Sequence, residues 1–216
     1  MTVCGKDGSL IDLLIDGPPD AETTIALAHG AGVGFDAPFM NVVAVGLAER
    51  GVRVVRFEFD YMAKRRRDGK QRPPDRLDQL IACWREIVAE LGAERLVVAG
   101  KSMGGRIASM IADGVGASGV VCLGYPFHPV GRPNRLRIGH LGAIQTPTLI
   151  LQGERDALGA KTEVDDYPLA ASIRIFWLID GDHGFRPRKS SGRTEAENLD
   201  AAIAEIATFV CGLSSR

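Results

Sequence analysis

The stretch LVVAGKSMGGRIASM, residues 96–110, decides the fold. Its first four residues are apolar without alternation, which suits a strand covered on both faces. A helical segment follows Ser102. Between the two lies Gly100-Lys101-Ser102-Met103-Gly104, a match to G-x-S-x-G in the strand–turn–helix setting that pattern requires. The small residues let the chain turn so sharply that the serine backbone is strained. Its hydroxyl then projects at the sheet edge, and the following helix N-terminus favours developing negative charge. Gly105 extends the small-residue patch where the helix leaves the strand. Gly-Lys-Ser also ends the phosphate-binding pattern G-x-x-x-x-G-K-[ST], but the first glycine of that pattern falls on Arg95.

Outward from this turn, short apolar strands alternate with helices. Strands are predicted at Leu10–Ile15, Thr24–Ala28, Val52–Phe57, Leu96–Ala99, Val120–Leu123, Thr148–Leu151 and Ile173–Ile179. A helix is predicted over Asp36–Arg50. In residues 75–91, Leu77, Leu80, Ile81, Trp84, Val88 and Leu91 share one stripe, with Pro73-Pro74 before it and Gly92 after. A last helix starts at Thr194, whose Glu197 three residues on completes a capping box. The order predicts an α/β fold with a doubly wound, mostly parallel sheet of about seven strands, as one domain over 1–216. In such sheets sites gather at the carboxyl ends of the strands.

Composition narrows the function. With 216 residues, 45% hydrophobic and 25% charged, the chain is neither disordered nor fibrous. It has no uninterrupted apolar run of the ~18–20 residues a bilayer crossing needs. The first twenty residues carry no basic-then-apolar signal pattern, so a cytoplasmic location and no membrane partner are expected. Cys4, Cys83, Cys122 and Cys211 are far apart and form no Cys-x-x-Cys pair, so reduced, mostly buried thiols and no metal are expected. The net charge of −1 excludes a general polyanion binder. The charge is unevenly spread, however: residues 64–72, 132–140 and 186–193 carry +5, +3 and +4. No nucleic-acid motif accompanies them, so nucleic acid is not the expected partner.

The turn at Ser102 gains meaning from two other stretches. His29-Gly30-Ala31-Gly32-Val33-Gly34 follows the second strand, and a glycine-rich loop there can turn backbone N–H groups toward a substrate oxygen. An oxyanion hole needs one donor from the residue after the nucleophile, Met103, and one from this loop, Ala31 or Gly32. His29 precedes the loop and reads as an internal hydrogen-bonding residue. Beyond Ser102, Gln152-Gly153-Glu154-Arg155-Asp156 follows the sixth strand and Asp180-Gly181-Asp182-His183-Gly184 follows the seventh. Asp156 and His183 can therefore converge on Ser102 as acid and base. Glu154 is the competing acid and is expected to pair with Arg155. Asp182 points elsewhere, and Asp180 caps the strand end. His128 and His140 precede the acid-bearing strand, against the expected order of nucleophile, acid and base. Lys101, Tyr125, Phe127, His128 and Arg132 are candidate pocket residues, by position beside the turn or in the 125–146 loop.

Together, GKSMGGR, LAHGAGVGFD, CLGYPFHPVGRP, PTLILQGERDALG and IDGDHGFRPRK resemble the small α/β-hydrolase family related to dienelactone hydrolases. Within it the likeness is to the subgroup holding a testis-expressed hydrolase-like protein and the hydrolase-like part of a chromatin-complex subunit. The resemblance spans roughly residues 24–210. It implies a minimal α/β-hydrolase fold without a large cap domain. It also implies Ser102 as nucleophile, Asp156 as acid and His183 as base. Dienelactone hydrolases proper use cysteine where this chain has Ser102.

The expectation is a serine hydrolase that cleaves a small-molecule ester or thioester with no cofactor. The three basic runs all follow strand ends and are predicted to share the face of the triad, favouring small anionic substrates. The alternative is a non-catalytic interaction module that docks a partner through that basic face.

Overall fold

The computed structural model describes residues 2–4 and 10–214, with side chains over 11–213. Eight strands appear: β1 (Thr2–Cys4), β2 (Leu10–Asp16), β3 (Thr24–Ala28), β4 (Arg53–Phe57), β5 (Leu96–Lys101), β6 (Gly119–Leu123), β7 (Thr148–Gly153) and β8 (Ile173–Leu178). Six helices accompany them: α1 (Pro38–Ala48), α2 (Asp60–Asp68), α3 (Leu77–Leu91), α4 (Met103–Val115), α5 (Lys161–Val164) and α6 (Glu195–Ser214). The sheet runs β1-β2-β4-β3-β5-β6-β7-β8. Strands β4 through β8 pair in parallel, while β2 pairs antiparallel to β4 and β1 antiparallel to β2. Seven strands, β2 to β8, make the main sheet, as the sequence predicts, and β1 adds a short edge.

The apolar strand runs are explained by two cores. On one face, Phe57, Trp84, Ile107, Val98 and Ile150 pack with helices α3 and α4. On the other, Met40, Val43, Leu47, Ile203 and Ile206 pack α1 and α6 against Val97, Val121 and Leu149. Alternate residues of β5 thus serve opposite cores, so no polar face is left. The expected cap at Thr194 forms: Glu197 Oε2 accepts Thr194 N–H at 2.7 Å and Thr194 Oγ1 accepts Glu197 N–H at 3.2 Å.

Two features depart from the sequence reading. Residues 60–68, which enter the 64–72 basic run and lie outside the predicted helices, form α2, with Tyr61 and Met62 buried beneath the β3 loop. Cys211 is exposed, whereas Cys83 is half-buried and Cys122 buried, and the Cys4 side chain lies outside the described residues. Among the described residues no helix is long and apolar enough to cross a membrane. Strand order sets the site. Connections from β3 and β5 leave on opposite sides of the sheet, so a crevice opens above the ends of these neighbouring strands.

Candidate functional site

Ser102 occupies the turn between β5 and α4 with φ 51° and ψ −112°, a conformation costly for any residue with a side chain. Helix α4 starts at Met103, so the chain reverses within one residue. The flanking glycines explain how. A Cβ on Gly104 would lie 2.6 Å from His29 O and 2.7 Å from Ala28 O, and one on Gly100 would collide with Gly104 itself. The helix therefore sits directly on the end of β3. Ser102 N–H donates to Leu123 O at 3.0 Å, which ties the turn to the end of β6.

The β3 loop lies on one side of Ser102. A Cβ on Gly30 would be 3.8 Å from Ser102 Cβ. His29 is buried and fixes the loop: Phe59 N–H donates to its Nε2 at 3.1 Å, so its Nδ1 carries the proton toward Gly30 O at 2.6 Å. Burial lowers its pKa, which keeps this imidazole neutral. Tyr61 Oη donates to Ala31 O at 3.0 Å, and Arg65 donates to Gly32 O at 3.2 Å. With their carbonyls held from α2, the amides of this loop are fixed in place.

His183 lies on the other side, past the end of β6. A Cβ on Gly124 would lie 3.2 Å from His183 Nδ1. That nitrogen stands 2.7 Å from Asp156 Oδ2. Asp156 is fully buried and its oxygens are occupied: Oδ1 accepts Leu158 N–H at 2.8 Å and Oδ2 accepts Gln152 Nε2 at 3.0 Å. The Gln152 amide also bonds Tyr125 N–H, Tyr125 O and Gly159 O, so it is rigid. Gly153 lets the turns carrying Asp156 and His183 touch, since a Cβ there would collide with Gly181 O and Asp182 O. With Nδ1 turned to Asp156, the opposite ring nitrogen, Nε2, is free of that bond. Among the described residues no hydrogen bond yet joins Ser102 to His183; such bonds commonly close only as substrate engages.

The remaining candidates have other places. Lys101 Nζ donates to His183 O at 2.7 Å and sits over the rings of Phe39 and Phe185. Burial brings its pKa down to about 8. It props the His183 turn and is not part of the lining of the cleft beside Ser102. Tyr125 and Phe127 are fully buried in the core, where aromatic bulk is best covered. His128 is held between Pro129 O and Glu163 and is not part of the lining of the pocket at Ser102. Arg132 is exposed on a turn. Arg155 pairs with Asp180 at 2.8 Å and not with Glu154, which instead accepts Asp180 N–H at 2.8 Å. His140 meets Ser109 Oγ at 2.8 Å. Asp182 accepts Gly184 N–H and Arg186 N–H within its own turn.

A cleft of about 350 Å³ opens beside Ser102, lined by Ala31, Met103, Pro74, Leu80, Arg106 and Arg137 among others. Sequence reading misses Gln152, while Arg106 stands out beside the turn at Ser102 and Arg137 only as one member of the 132–140 basic run. Gln152 has a signal, a polar residue ending the apolar run of β7. Among the described residues no group of three or more His, Cys, Asp or Glu is placed to hold a metal.

Comparison with known proteins agrees with this architecture. The family model described as alpha/beta hydrolase domain matches residues 21–211. No curated protein matches the chain. Among solved structures, an α/β serine hydrolase without a lid from Xanthomonas campestris is 20% identical, over 97% of this chain and 93% of its own, with a TM-score of 0.67. Est1E from Butyrivibrio proteoclasticus is 13% identical over 100% and 99%, with a TM-score of 0.70. A thioesterase domain from the curacin biosynthetic pathway is 16% identical over 98% of both chains, with a TM-score of 0.67. These likenesses are of fold.

Proposed function

The chain belongs to the alpha/beta hydrolase domain family, and from that premise we propose that it is a serine hydrolase cleaving an ester or thioester. The observation that carries this reading is the strained Ser102 tied to Leu123 O at the end of β6, one residue before the Gly124 against which the Asp156-bound ring of His183 rests. Ser102 Oγ attacks the substrate carbonyl carbon while His183 Nε2 takes its proton. Asp156 holds the resulting imidazolium and does not itself take the proton. The carbonyl π electrons move to oxygen, which Met103 N–H and an amide of Ala31 or Gly32 receive. As the tetrahedral intermediate collapses, the bond to the leaving oxygen or sulfur breaks and His183 returns the proton there. Water then enters by the same route, giving the free acid and restoring Ser102. No step in this sequence needs a metal or cofactor.

Within the family, the GKSMGG and IDGDHGF stretches still resemble the dienelactone-hydrolase-related subgroup, with Ser102 in the cysteine position. A docking module working through a basic face has less support. Arg66, Arg72, Arg186 and Arg188, from two of the three basic runs, each hold a carboxylate of this same chain.

The test is covalent labelling with a fluorophosphonate. Wild type is expected to be labelled at Ser102, and Ser102→Ala to stay unlabelled. A folded wild type that resists the probe would overturn the proposal.

A further inference from the structure

Two guanidinium groups line the Ser102 cleft without a carboxylate set against them. Arg106 lies one turn into α4, and Arg137 comes from the loop between β6 and β7. Several other arginines of this fold are matched: Arg56 with Asp16 at 2.7 Å, Arg66 with Glu58 at 2.8 Å, Arg155 with Asp180 at 2.8 Å. Among the described residues neither Arg106 nor Arg137 has a salt bridge. Arg106 Nε is buried and has no hydrogen-bond partner, a condition folded proteins rarely leave unmet. Arg53 Nε and Trp84 Nε1 share that condition but line no part of this cleft. The acid in the lining, Asp75, is engaged in accepting Tyr61 N–H at 2.9 Å.

The two arginines also feel each other. The pKa of Arg137 is lowered by burial and then by the charge of Arg106. His140, beyond them, is brought down to about 4 by burial and then by Arg106. Like charges kept close and unpaired cost stability, and the position where that cost is met is the wall of the cleft holding the nucleophile. The rest of the lining is apolar: Leu77, Leu80, Ile107, Pro126 and Leu158. Such a cleft suits a short methylene chain ending in a charged oxygen group, which planar guanidinium forks grip in two-point fashion.

We propose that Arg106 and Arg137 form an oxyanion-binding subsite of the Ser102 cleft, and that the substrate is an ester or thioester bearing a carboxylate or phosphate a few carbons from the scissile carbonyl. The assignment rests on the serine-hydrolase reading and narrows its substrate. It replaces a diffuse basic rim with two residues.

The experiment compares 4-nitrophenyl hemiglutarate with neutral 4-nitrophenyl pentanoate at low and high salt. Wild type is expected to favour the hemiglutarate by roughly tenfold or more in kcat/KM, the scale of one charge-assisted hydrogen bond. Arg106→Met and, separately, Arg137→Met are each expected to bring that ratio toward one. Arg106→Lys, which keeps the charge and loses the fork, should fall between. Glutarate and inorganic phosphate are tested as competing inhibitors; stronger inhibition by one identifies the carboxylate or the phosphate as the group bound. Equal rates on the two esters in wild type, or a preference that survives both methionine variants, would overturn the subsite. Failure of the hydrolase reading shows separately, as absent fluorophosphonate labelling. In that case calorimetric binding of glutarate and of phosphate to wild type and Arg106→Met decides the subsite by itself, and no binding overturns it.

Discussion

The side-chain amide of Gln152 stands 3.0 Å from Asp156 Oδ2, the same oxygen that faces His183 Nδ1 at 2.7 Å. One carboxylate oxygen is thus held by a fixed donor while it orients the imidazole. Gln152 is locked in turn by Tyr125 and Gly159. The direction of the Asp156 carboxylate is therefore set from the strand below it.

This makes Gln152 a positioning residue. Gln152→Leu should lower kcat roughly ten- to a hundredfold, the usual range for a lost outer partner, with little change in KM. Gln152→Glu places a second carboxylate against Asp156 and should raise the pH at which kcat reaches its plateau. A purely structural role would lower the melting temperature and leave the pH profile of the surviving enzyme unmoved. Stopped assays from pH 5 to 9 on purified variants distinguish the two.

Glycines of α4 should respond in opposite directions. A methyl on Gly104 meets His29 O at 2.6 Å and Ala28 O at 2.7 Å, both backbone, so Gly104→Ala must push the helix off β3. A cost of about 1–3 kcal/mol or more is expected, with loss of activity. Gly114 lies in the same helix with nothing within 4 Å of its missing Cβ. Gly114→Ala should stabilise by about 0.5–1 kcal/mol, since alanine gives up less freedom in a helix. Urea denaturation of the pair measures both signs.

Much of this arrangement is legible along the chain, and the reason is locality. The strand–turn–helix around Ser102, the stripe from Leu77 to Leu91 and the Thr194–Glu197 box each depend on residues within one or two turns of each other. What escapes is decided across the chain. DYMAKRRRD reads as a charged loop, because its two apolar residues have no stripe of their own; they become helical cover only once Tyr61 reaches the carbonyls of Gly30 and Ala31. The expected Glu154–Arg155 pair gives way to Asp180, which both residues reach across adjacent strand ends. Arg132 and Arg137 are indistinguishable in a basic run. The bonds from Tyr125 Oη to Arg137 O at 2.9 Å and from Arg137 N–H to Phe127 O at 2.7 Å anchor that turn over the sheet and send one of them to the cleft.

Acid sensitivity should be traceable to His140. Its folded pKa, about 4, lies below its value of 6.5 in the unfolded chain, through burial and then Arg106. Between those values the unfolded chain binds the extra proton, so this contribution to stability is present above pH 6.5 and is lost as pH falls toward 4. His140→Gln keeps a polar partner for Ser109 without titrating. Its unfolding free energy should fall less steeply than wild type from pH 6.5 to 4.5 by urea denaturation. Parallel curves would show that the histidine does not set the slope.

The unpaired guanidinium of Arg106 should cost stability in the free protein. Arg106→Met keeps much of the aliphatic stem and removes a buried donor without a partner. A gain of about 1 kcal/mol is expected by urea denaturation, the trade commonly seen when a group is kept for binding. A loss of that size would mean the stem or the charge is matched within the fold, and would argue against its being held for a ligand.

The backbone at Ser102 offers the most direct check on why a serine is there at all. At φ 51° and ψ −112° a Cβ is strained, by about 1–3 kcal/mol for such regions, and glycine is not. Ser102→Gly should therefore be more stable than wild type by about 1 kcal/mol, even though it opens the unfolded chain to more conformations. Ser102→Ala keeps the Cβ and the strain, and should stay within about 0.5 kcal/mol of wild type. Both variants should refuse the fluorophosphonate. If glycine proved no more stable than alanine, the turn would be relaxed. The hydroxyl could then no longer be said to be held in place at the fold's expense, and strain at residue 102 would cease to support a nucleophile there.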